Sequence, residues 1–352
     1  MGSIRGWLYL YAQVMTETVR SVVLKHWIDG APSPNDFEIV ETPKPSLADG
    51  QALFRTHFAS VDPGTRSRLS PGASYAAPLN PGDTVDGFCV GEVVESQNDK
   101  LPVGSLWAYG GGWSDHFHLT GRGFLQPIPR TDLPLSLWIG ILGVPGMTAY
   151  FGLKRLAQIR DGDRALITSA AGPVGATAGQ LAKHFGASSV VGVAGGPKKC
   201  AWVKDVAGFD DCLDYKGEAD LDAALGAALP KGVDILFDNV GNAMIDRVLP
   251  RMRPGGRIVI SGQVADYNLS HDQVPGIKNT REFIAKRLRM EGIVVFDDLK
   301  AFPQAQAEVA SLIAADTLAY REERFEGLSA LPEAFCGLFT GESFGRRIVS
   351  LA

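Results

Sequence analysis

The residue types best suited to chemistry lie in a short turn of small side chains at residues 169–175, with the sequence S-A-A-G-P-V-G. The turn matches the pattern G-x-G-x-x-G, with Ala170 in the first glycine position, and it separates a run typical of a buried strand from one typical of a helix. Small residues let the backbone approach a pyrophosphate, and the following helix offers unpaired N–H groups and its positive dipole end. The turn therefore predicts a dinucleotide-binding site. The alternative is a tight turn with a purely structural role.

The segment after the next strand indicates which dinucleotide is bound. A site that prefers NAD has Asp or Glu about 20 residues after the start of the turn, where the acid binds the ribose 2′-hydroxyl. Here residues 194–199 read A-G-G-P-K-K, with no acid and with Lys198 and Lys199. Because cations attract a 2′-phosphate and a carboxylate would repel it, the segment predicts NADP(H). The alternative, a solvated helix start, would leave the missing acid unexplained.

Other catalytic chemistries are not favoured by the residues present. Cys89 is the only cysteine in the first half of the chain, and no two of the four cysteines lie within three positions of each other. His116 and His118 would share one face of a strand but have no third ligand nearby, so we expect no metal site. Residues 341–345 spell G-x-S-x-G, but no histidine follows them, which argues against a serine hydrolase.

Two kinds of element must position these residues. From residue 22 to about residue 127, short β-rich runs alternate with clusters of Pro, Gly, Asp and Ser, which favours a barrel or sandwich. From residue 164, apolar strands alternate with helical runs, which predicts a parallel, doubly wound sheet. We expect the last strand of this series at residues 293–296. The strand-like run at 347–351 has no obvious partner there, so we expect it to fold back onto the N-terminal domain.

Length and composition set the remaining bounds. The 352 residues suggest about two domains, and 34 basic against 39 acidic residues give a net charge of −5, which argues against nucleic-acid binding. Residues 133–153 carry no charge but contain repeated Gly and Pro, which predicts two buried helical pieces joined at 143–146 rather than a membrane span. The N-terminal apolar run lacks the features of a secretion signal. We expect no membrane partner, reduced cysteines and a cytoplasmic location.

A set of motifs in a consistent order resembles the zinc-independent medium-chain dehydrogenases/reductases, in the branch of prostaglandin reductase, leukotriene hydroxydehydrogenase, double-bond reductases and curcumin reductase. The motifs span most of the chain: S-V-D-P at 60–63, V-P-G-M-T-A-Y-F-G-L at 144–153, A-A-G-P-V-G at 170–175, A-G at 194–195 with Lys199, D-Y-K at 214–216, F-D-N-V-G at 237–241, G-Q-V at 262–264 with Y-N at 267–268, and G-E-S-F-G at 341–345. The resemblance implies a Rossmann domain of α/β class joined to a GroES-like, mainly β catalytic domain. It implies a catalytic domain at 1–139, with 1–14 as an extension, an NADP-binding domain at 140–311, and a segment at 312–352 that returns to the catalytic domain.

The resemblance also implies an activity, the NADPH-dependent reduction of a carbon–carbon double bond conjugated to a carbonyl, in a homodimer. It implies that Lys199 and Tyr215 hold the 2′-phosphate. It assigns other coenzyme contacts to the phosphate turn, to the 261–267 loop, to residues that flank the nicotinamide and to the C-terminal loop: Gly172, Pro173, Val174, Gly175, Asn239, Ser261, Gly262, Val264, Ile293, Val294, Val295 and Ser343.

Tyr267 is the candidate catalytic residue. A phenol can donate a hydrogen bond to the enolate oxygen while hydride reaches the β-carbon, although an aromatic ring that only packs a loop is the alternative. We expect Gly64, Trp113, Tyr267 and Phe296 to shape the substrate pocket. Gly64 stands where many relatives have a bulky residue, and Ser343 stands where Asn is common, so the substrate is the least determined feature.

Three hypotheses follow, and they differ in class. The first is an NADPH-dependent reductase of enones or enals. The second is a quinone reductase or a secondary-alcohol dehydrogenase on the same fold. The third is a non-catalytic NADPH-binding protein that serves as a sensor or structural component. Cofactor binding without turnover on any acceptor would favour the third.

Overall fold

Two sheets of different construction organise the computed structural model, which describes residues 18–71, 76–119 and 123–351. The proposed extension at 1–14 lies outside the described residues. The strands are Thr18–Leu24 (β1), Phe37–Pro43 (β2), Ala52–Ser60 (β3), Asp86–Ser96 (β4), Leu106–Gly112 (β5), His116–Leu119 (β6), Leu125–Pro127 (β7), Arg164–Thr168 (β8), Ser189–Ala194 (β9), Asp211–Asp214 (β10), Val233–Asp238 (β11), Met252–Ile260 (β12), Arg289–Gly292 (β13), Glu322–Glu326 (β14) and Arg346–Ser350 (β15).

The helices are concentrated in the second half of the described chain. They are Val144–Phe151 (α1), Pro173–His184 (α2), Pro197–Asp205 (α3), Leu221–Ala228 (α4), Asn242–Val248 (α5), Arg281–Lys286 (α6), Phe302–Ala314 (α7) and Leu331–Cys336 (α8). A π-helical turn, Gly152–Ala157, continues α1. A 3-10 helix, Leu135–Ile139, precedes α1, so the uncharged stretch forms two buried helical pieces as predicted, although they join at 140–143 rather than at 143–146. No helix within the described ranges is long and apolar enough to cross a membrane.

The parallel sheet of the second half has the order β10-β9-β8-β11-β12-β13, the doubly wound arrangement predicted from the alternating runs. The middles of its central strands are apolar because both faces are covered. Leu166 of β8 belongs to the apolar core on one face of the sheet, and its neighbour Ile167 belongs to the core on the other face. The order reverses between β8 and β11, and the phosphate turn follows β8 at that point.

The sheet of the N-terminal domain has the order β14-β15-β3-β4-β5-β7, with β6 also pairing with β3, while β1 and β2 form a separate antiparallel pair. Its strands alternate between two environments, as period-two patterns require. Cys89 of β4 faces the core of this domain, whereas the next residue, Val90, faces the core shared with the helices. This sheet and the parallel sheet together give the fold expected from the motifs.

The C-terminal segment contributes two strands to the N-terminal sheet. β15 lies between β14 and β3, and its Ile348 is opposite Ser60 at the end of β3. The buried Arg346 donates hydrogen bonds to the carboxylate of Asp62 and to the carbonyl oxygen of Ile139. The segment therefore supports the loop that carries S-V-D-P.

The prediction for the last parallel strand was wrong in position. The strand is β13, and residues 293–296 lead from it into a 3-10 helix, Val295–Ala301. The residues of β13 are exposed because β13 is the edge of the sheet, so the buried apolar pattern that identifies a central strand is missing there.

Candidate functional site

The phosphate turn has the backbone geometry that close approach to an anion requires. Ser169 has a φ of +51°, in the left-handed region, and its carbonyl oxygen accepts a hydrogen bond from the Gly172 N–H at 2.9 Å. A Cβ on Gly175 would overlap that same carbonyl, so only glycine lets α2 start this close to β8. Pro173 is the first residue of α2 and Val174 follows it, so the unpaired N–H groups of the helix lie at the carboxyl edge of the sheet.

The next strand end is packed against an aromatic ring. A Cβ on Gly195 would lie 2.8 Å from the Tyr215 ring, so Tyr215 covers the turn that follows β9. The carboxylate of Asp214 accepts a hydrogen bond from the Gly196 N–H at 2.6 Å, and this bond holds the pKa of Asp214 below its usual value. The Asp214 carboxylate is therefore committed to the backbone of the turn.

A cleft of about 310 Å³ adjoins this turn and is bordered by cations. Lys199 donates a hydrogen bond from Nζ to the carbonyl oxygen of Gly341 at 2.7 Å. Burial, and next the positive charge of Lys216, lower the pKa of Lys199. A bound 2′-phosphate would relieve that repulsion, because two lysines and one dianion neutralise each other. The residues present thus fit NADP(H).

A hydrogen-bonded network joins the ends of β8 and β11 across the reversal of the sheet. Thr168 donates from Oγ1 to the Asp238 carboxylate at 2.8 Å and accepts from the Asn239 N–H at 2.8 Å. The Asn239 side chain donates to the Thr168 carbonyl at 2.9 Å. Burial raises the pKa of Asp238 to about 6, although three donated hydrogen bonds oppose the shift. The network fixes Asn239 beside the phosphate turn.

The loop after β12 brings Tyr267 to the same edge. The Ser261 N–H donates to the Asp238 carbonyl at 2.8 Å, and the Val264 N–H donates to the Asn239 carbonyl at 3.2 Å. The Tyr267 hydroxyl lies 3.6 Å from the position that a Cβ on Gly262 would occupy. Tyr267 is therefore beside the backbone that holds Asn239, at the carboxyl ends of the central strands.

The segment after β13 connects the parallel sheet to the N-terminal domain through an aromatic side chain. The Ile293 N–H donates to the carbonyl of Ile260 at 3.0 Å, Val294 is exposed and Val295 is buried. Phe296 has its ring centre 6.0 Å from that of Phe88 on β4. Its distance to Phe124, which precedes β7, is also 6.0 Å. The three rings form an aromatic cluster, Phe88–Phe124–Phe296, which links the two domains.

Two other predicted residues lie in short elements at this interface. Gly64 is half-buried in the 3-10 helix Pro63–Arg68, directly after the S-V-D-P loop. The Ser60 hydroxyl of that loop donates to the Asp62 carboxylate, and its Oγ accepts the Phe88 N–H at 2.9 Å. Ser343 is half-buried on the loop that follows Gly341.

Trp113 is the predicted pocket residue that the structure places elsewhere. Its side chain is fully buried, its ring packs 5.6 Å from Phe37 and 5.5 Å from Phe335, and its indole N–H donates to the Ser60 carbonyl at 3.0 Å. An indole with a satisfied N–H inside an apolar core contributes to packing. We therefore correct its assignment from pocket lining to domain core.

The structure also brings in residues that the sequence did not single out for the site. Lys216 acts on Lys199 electrostatically, and Arg321 and Glu323 line the same cleft from the C-terminal segment. Lys216 could have been identified from the sequence because it follows Tyr215 in the motif D-Y-K, whereas none of the motifs contains Arg321 or Glu323. Within the described ranges, no group of three or more His, Cys, Asp or Glu side chains is placed to hold a metal ion.

Comparisons with known proteins give consistent matches along the chain. A family model described as the N-terminal domain of oxidoreductase matches residues 20–126, and one described as zinc-binding dehydrogenase matches residues 173–312. The chain is 37% identical to 2-alkenal reductase (NADP(+)-dependent) of Nicotiana tabacum, over 95% of this chain and 97% of that protein. It is 37% identical to NADPH-dependent curcumin reductase of Escherichia coli (strain K12), over 92% of this chain and 94% of that protein.

A further relative and a solved structure agree with these matches. Prostaglandin reductase 1 of Rattus norvegicus is 36% identical, over 93% of this chain and 97% of that protein. The crystal structure of CurA in complex with NADPH from Vibrio vulnificus is 33% identical and superposes with a TM-score of 0.88, over 95% of this chain and 99% of that one. These similarities extend across both sheets and the cleft between them.

Proposed function

The chain belongs to the double-bond reductase branch of the zinc-independent medium-chain dehydrogenases/reductases, and from that membership we propose that it is an NADPH-dependent reductase of carbon–carbon double bonds conjugated to a carbonyl. The observation that carries the proposal is the similarity, over more than nine-tenths of the chain, to a 2-alkenal reductase that is NADP(+)-dependent. The cationic cleft beside Lys199 supports the choice of coenzyme independently of that similarity.

The residues of this chain have separate parts in the reaction. NADPH, when bound, supplies the hydride that is transferred to the β-carbon. The turn at 172–175 binds the pyrophosphate, Asn239 and the 261–264 backbone orient the ribose and nicotinamide, and residues 293–295 flank the ring. Lys199 and Tyr215 hold the 2′-phosphate. These contacts hold the coenzyme at the carboxyl edge of the sheet, where a substrate can meet it.

Tyr267 stabilises the developing charge on the substrate. As hydride adds to the β-carbon, negative charge moves to the carbonyl oxygen, and a phenol aimed at that oxygen stabilises the enolate. The α-carbon then takes a proton, either from Tyr267 or from water. The position of the Tyr267 hydroxyl beside Gly262 and Asn239 supports this role.

The substrate pocket lies between Gly64, Tyr267 and Phe296. The half-buried Gly64 presents no side chain at the end of the S-V-D-P loop. The aromatic cluster Phe88–Phe124–Phe296 supplies apolar surface on the other side. A pocket with one hydrogen-bond donor and otherwise apolar walls suits an unsaturated aldehyde or ketone with an apolar substituent.

Turnover with a substrate panel tests this proposal. NADPH consumption would be measured with 2-alkenals, cyclic enones, quinones and secondary alcohols (the last with NADP⁺), with the saturated aldehydes as matched controls. We expect consumption with the 2-alkenals and cyclic enones alone and, by mass spectrometry, a saturated carbonyl product that has gained two hydrogens. An allylic alcohol product, or turnover of quinones alone, would contradict the proposal. Coenzyme binding without any turnover would favour a non-catalytic role.

The exposed edge of the parallel sheet supports a homodimer. Among the described residues, β13 pairs only with β12, and all four of its residues are exposed. Ile284 of the adjacent α6 is 83% exposed, so the edge carries apolar surface as well as unpaired backbone groups. We infer that two copies pair along β13. Light scattering should give twice the chain mass, and Met290→Pro, which removes a backbone donor from this edge, should give a monomer.

The state of the cysteines supports a location in the cytoplasm, which is a reducing compartment. All four are free thiols, and Cys89, Cys200 and Cys212 are buried. Burial raises the pKa of Cys89 to about 12, so it is unreactive at neutral pH.

A further inference from the structure

The cleft beside Lys199 has one wall from each domain. Residues 195–199 of the coenzyme domain form the first wall, and the second comes from the C-terminal segment, with Arg321, Glu323, Gly341, Glu342 and Phe344. Among the residues that line the cleft, the roles described above use only Lys199. The second wall contains a cation, Arg321, to which neither the sequence nor the family match gives a function.

Arg321 is held rigidly by packing rather than by an acid. Its guanidinium carbon lies 4.0 Å from the centre of the Phe344 ring, and Phe344 in turn packs edge-on against Trp202 of α3, with ring centres 5.7 Å apart. Its carbonyl oxygen accepts the Arg346 N–H at 2.8 Å. The two aromatic rings therefore fix the guanidinium against the helix that carries Lys199.

The Arg321 guanidinium is available to bind an anion. Among the described residues Arg321 makes no ion pair, and its Nε is buried without a hydrogen-bond partner. The nearby Glu323 is already paired with Arg347 at 2.8 Å. Glu342 also lines the cleft, but Arg321, Lys198 and Lys199 outnumber it, so the cleft keeps an excess of positive charge that a phosphate dianion would neutralise.

Guanidinium groups suit phosphate because their N–H donors match two phosphate oxygens at once. We propose that Arg321 is a further specificity-determining residue for the coenzyme, which binds the 2′-phosphate from the wall opposite Lys199. The inference rests on the proposed use of NADPH. It means that the 2′-phosphate contacts both domains, so the phosphorylated coenzyme ties the C-terminal segment to α3, and the unphosphorylated coenzyme does not.

Equilibrium binding tests the proposal without turnover. The dissociation constants of NADP⁺, NAD⁺ and 2′,5′-ADP would be measured by calorimetry for the wild type, Arg321→Met and Arg321→Lys. We expect Arg321→Met to weaken NADP⁺ and 2′,5′-ADP by roughly 10- to 100-fold, the loss of a charge-assisted hydrogen bond, and to change NAD⁺ by less than about twofold. Arg321→Lys should fall between, because it keeps the charge and loses the planar fork.

Two control variants make the result decisive. Arg324→Met removes an exposed cation three positions away, on β14, which does not line the cleft, and it should leave all three constants unchanged. Lys199→Met should lose the preference for NADP⁺. Equal losses of NADP⁺ and NAD⁺ affinity in Arg321→Met, or none, would overturn the proposal.

Different results would contradict the proposed coenzyme and the proposed role of Arg321. If the wild type itself does not prefer NADP⁺ over NAD⁺, the proposed coenzyme is wrong. If Lys199→Met loses the preference and the Arg321 variants keep it, only the role of Arg321 is wrong. Should Arg321→Met fail to fold, as judged by circular dichroism, Arg321→Lys and Arg321→Gln decide the question by the same comparison.

Discussion

Among single residues, Tyr267 carries the most specific chemical prediction. Its hydroxyl lies beside the backbone of Gly262 at the carboxyl edge of the sheet. Because the phenol would stabilise charge that develops only during hydride transfer, we expect Tyr267→Phe to lower kcat by roughly tenfold or more, with a smaller effect on KM. Steady-state kinetics with a 2-alkenal would measure this.

The matched control is Tyr150→Phe. Tyr150 donates its hydrogen to Glu308 at 2.7 Å, on the helix α7, and has no part in the site. Tyr150→Phe should leave kcat within about twofold of the wild-type value. If Tyr267→Phe behaves as this control does, Tyr267 packs the loop and another donor faces the substrate.

A second prediction at this scale concerns pH. Burial raises the pKa of Asp238 from the usual 3.8 to about 6, so the folded protein holds a proton that the unfolded chain releases between those values. The folded state then binds more protons, and the Asp238 contribution makes the free energy of unfolding decrease as pH rises from about 4 to about 6.

Substitution isolates that contribution. Asp238→Asn should remove this decrease, measured by urea unfolding across the pH range. Asp234→Asn, at the other end of the same strand, should keep it, because Asp234 lies in surface ion pairs with Arg253 and Arg164. An unchanged pH profile in Asp238→Asn would show that another group titrates.

At the scale of elements, two glycines inside helices make opposite predictions. A Cβ on Gly179 of α2 would overlap the ring of the buried Phe209, so Gly179→Ala should lower the free energy of unfolding by about 1–3 kcal/mol. Gly226 of α4 has nothing within 4 Å of the same position, so Gly226→Ala should raise it by about 0.5–1 kcal/mol. Thermal and urea unfolding of both variants would check the signs, and destabilisation by Gly226→Ala would contradict the packing described.

The same scale shows what the sequence can predict. Two features could be predicted because they are local: the strand–turn–helix unit at 164–185 and the missing acid after β9. Both lie within a stretch of about 30 residues whose pattern is specific to dinucleotide binding. Strand β13 was misplaced because an exposed edge strand lacks the apolar run of a buried one. The lysine of helix α3 at the cleft could also be predicted, because it lies directly after β9 in the same local stretch.

Long-range contacts account for what remained hidden. Trp113 was expected in the pocket because an aromatic residue suits either a pocket or a core, and only the contacts with Phe37 and Phe335 decide between the two. Arg321 reaches the cleft through the return of the C-terminal segment, and no local pattern encodes that approach.

For the whole molecule, the ion pair of Arg346 with Asp62 joins segments 284 positions apart. The arginine side chain is 5% exposed, so Arg346→Met should leave the Asp62 carboxylate without its main partner and lower the free energy of unfolding by about 3–5 kcal/mol. Arg55→Met, which removes an ion pair with Glu92 in which the two side chains are 51% and 31% exposed, should cost less than about 1 kcal/mol. Comparable losses of unfolding free energy in the two variants would show that the buried pair contributes no more than an exposed one.

The position of β15 between β14 and β3 has a consequence for biosynthesis. During translation, β3 leaves the ribosome long before β15 exists, and the edge where β15 belongs stays open while the whole coenzyme domain is made. The nascent first domain therefore stays incomplete until the last strand is synthesised. Until then, its apolar edge is available to chaperones or to other chains. Ribosome stalling just before residue 346 should trap a protease-sensitive N-terminal domain beside an already folded coenzyme domain.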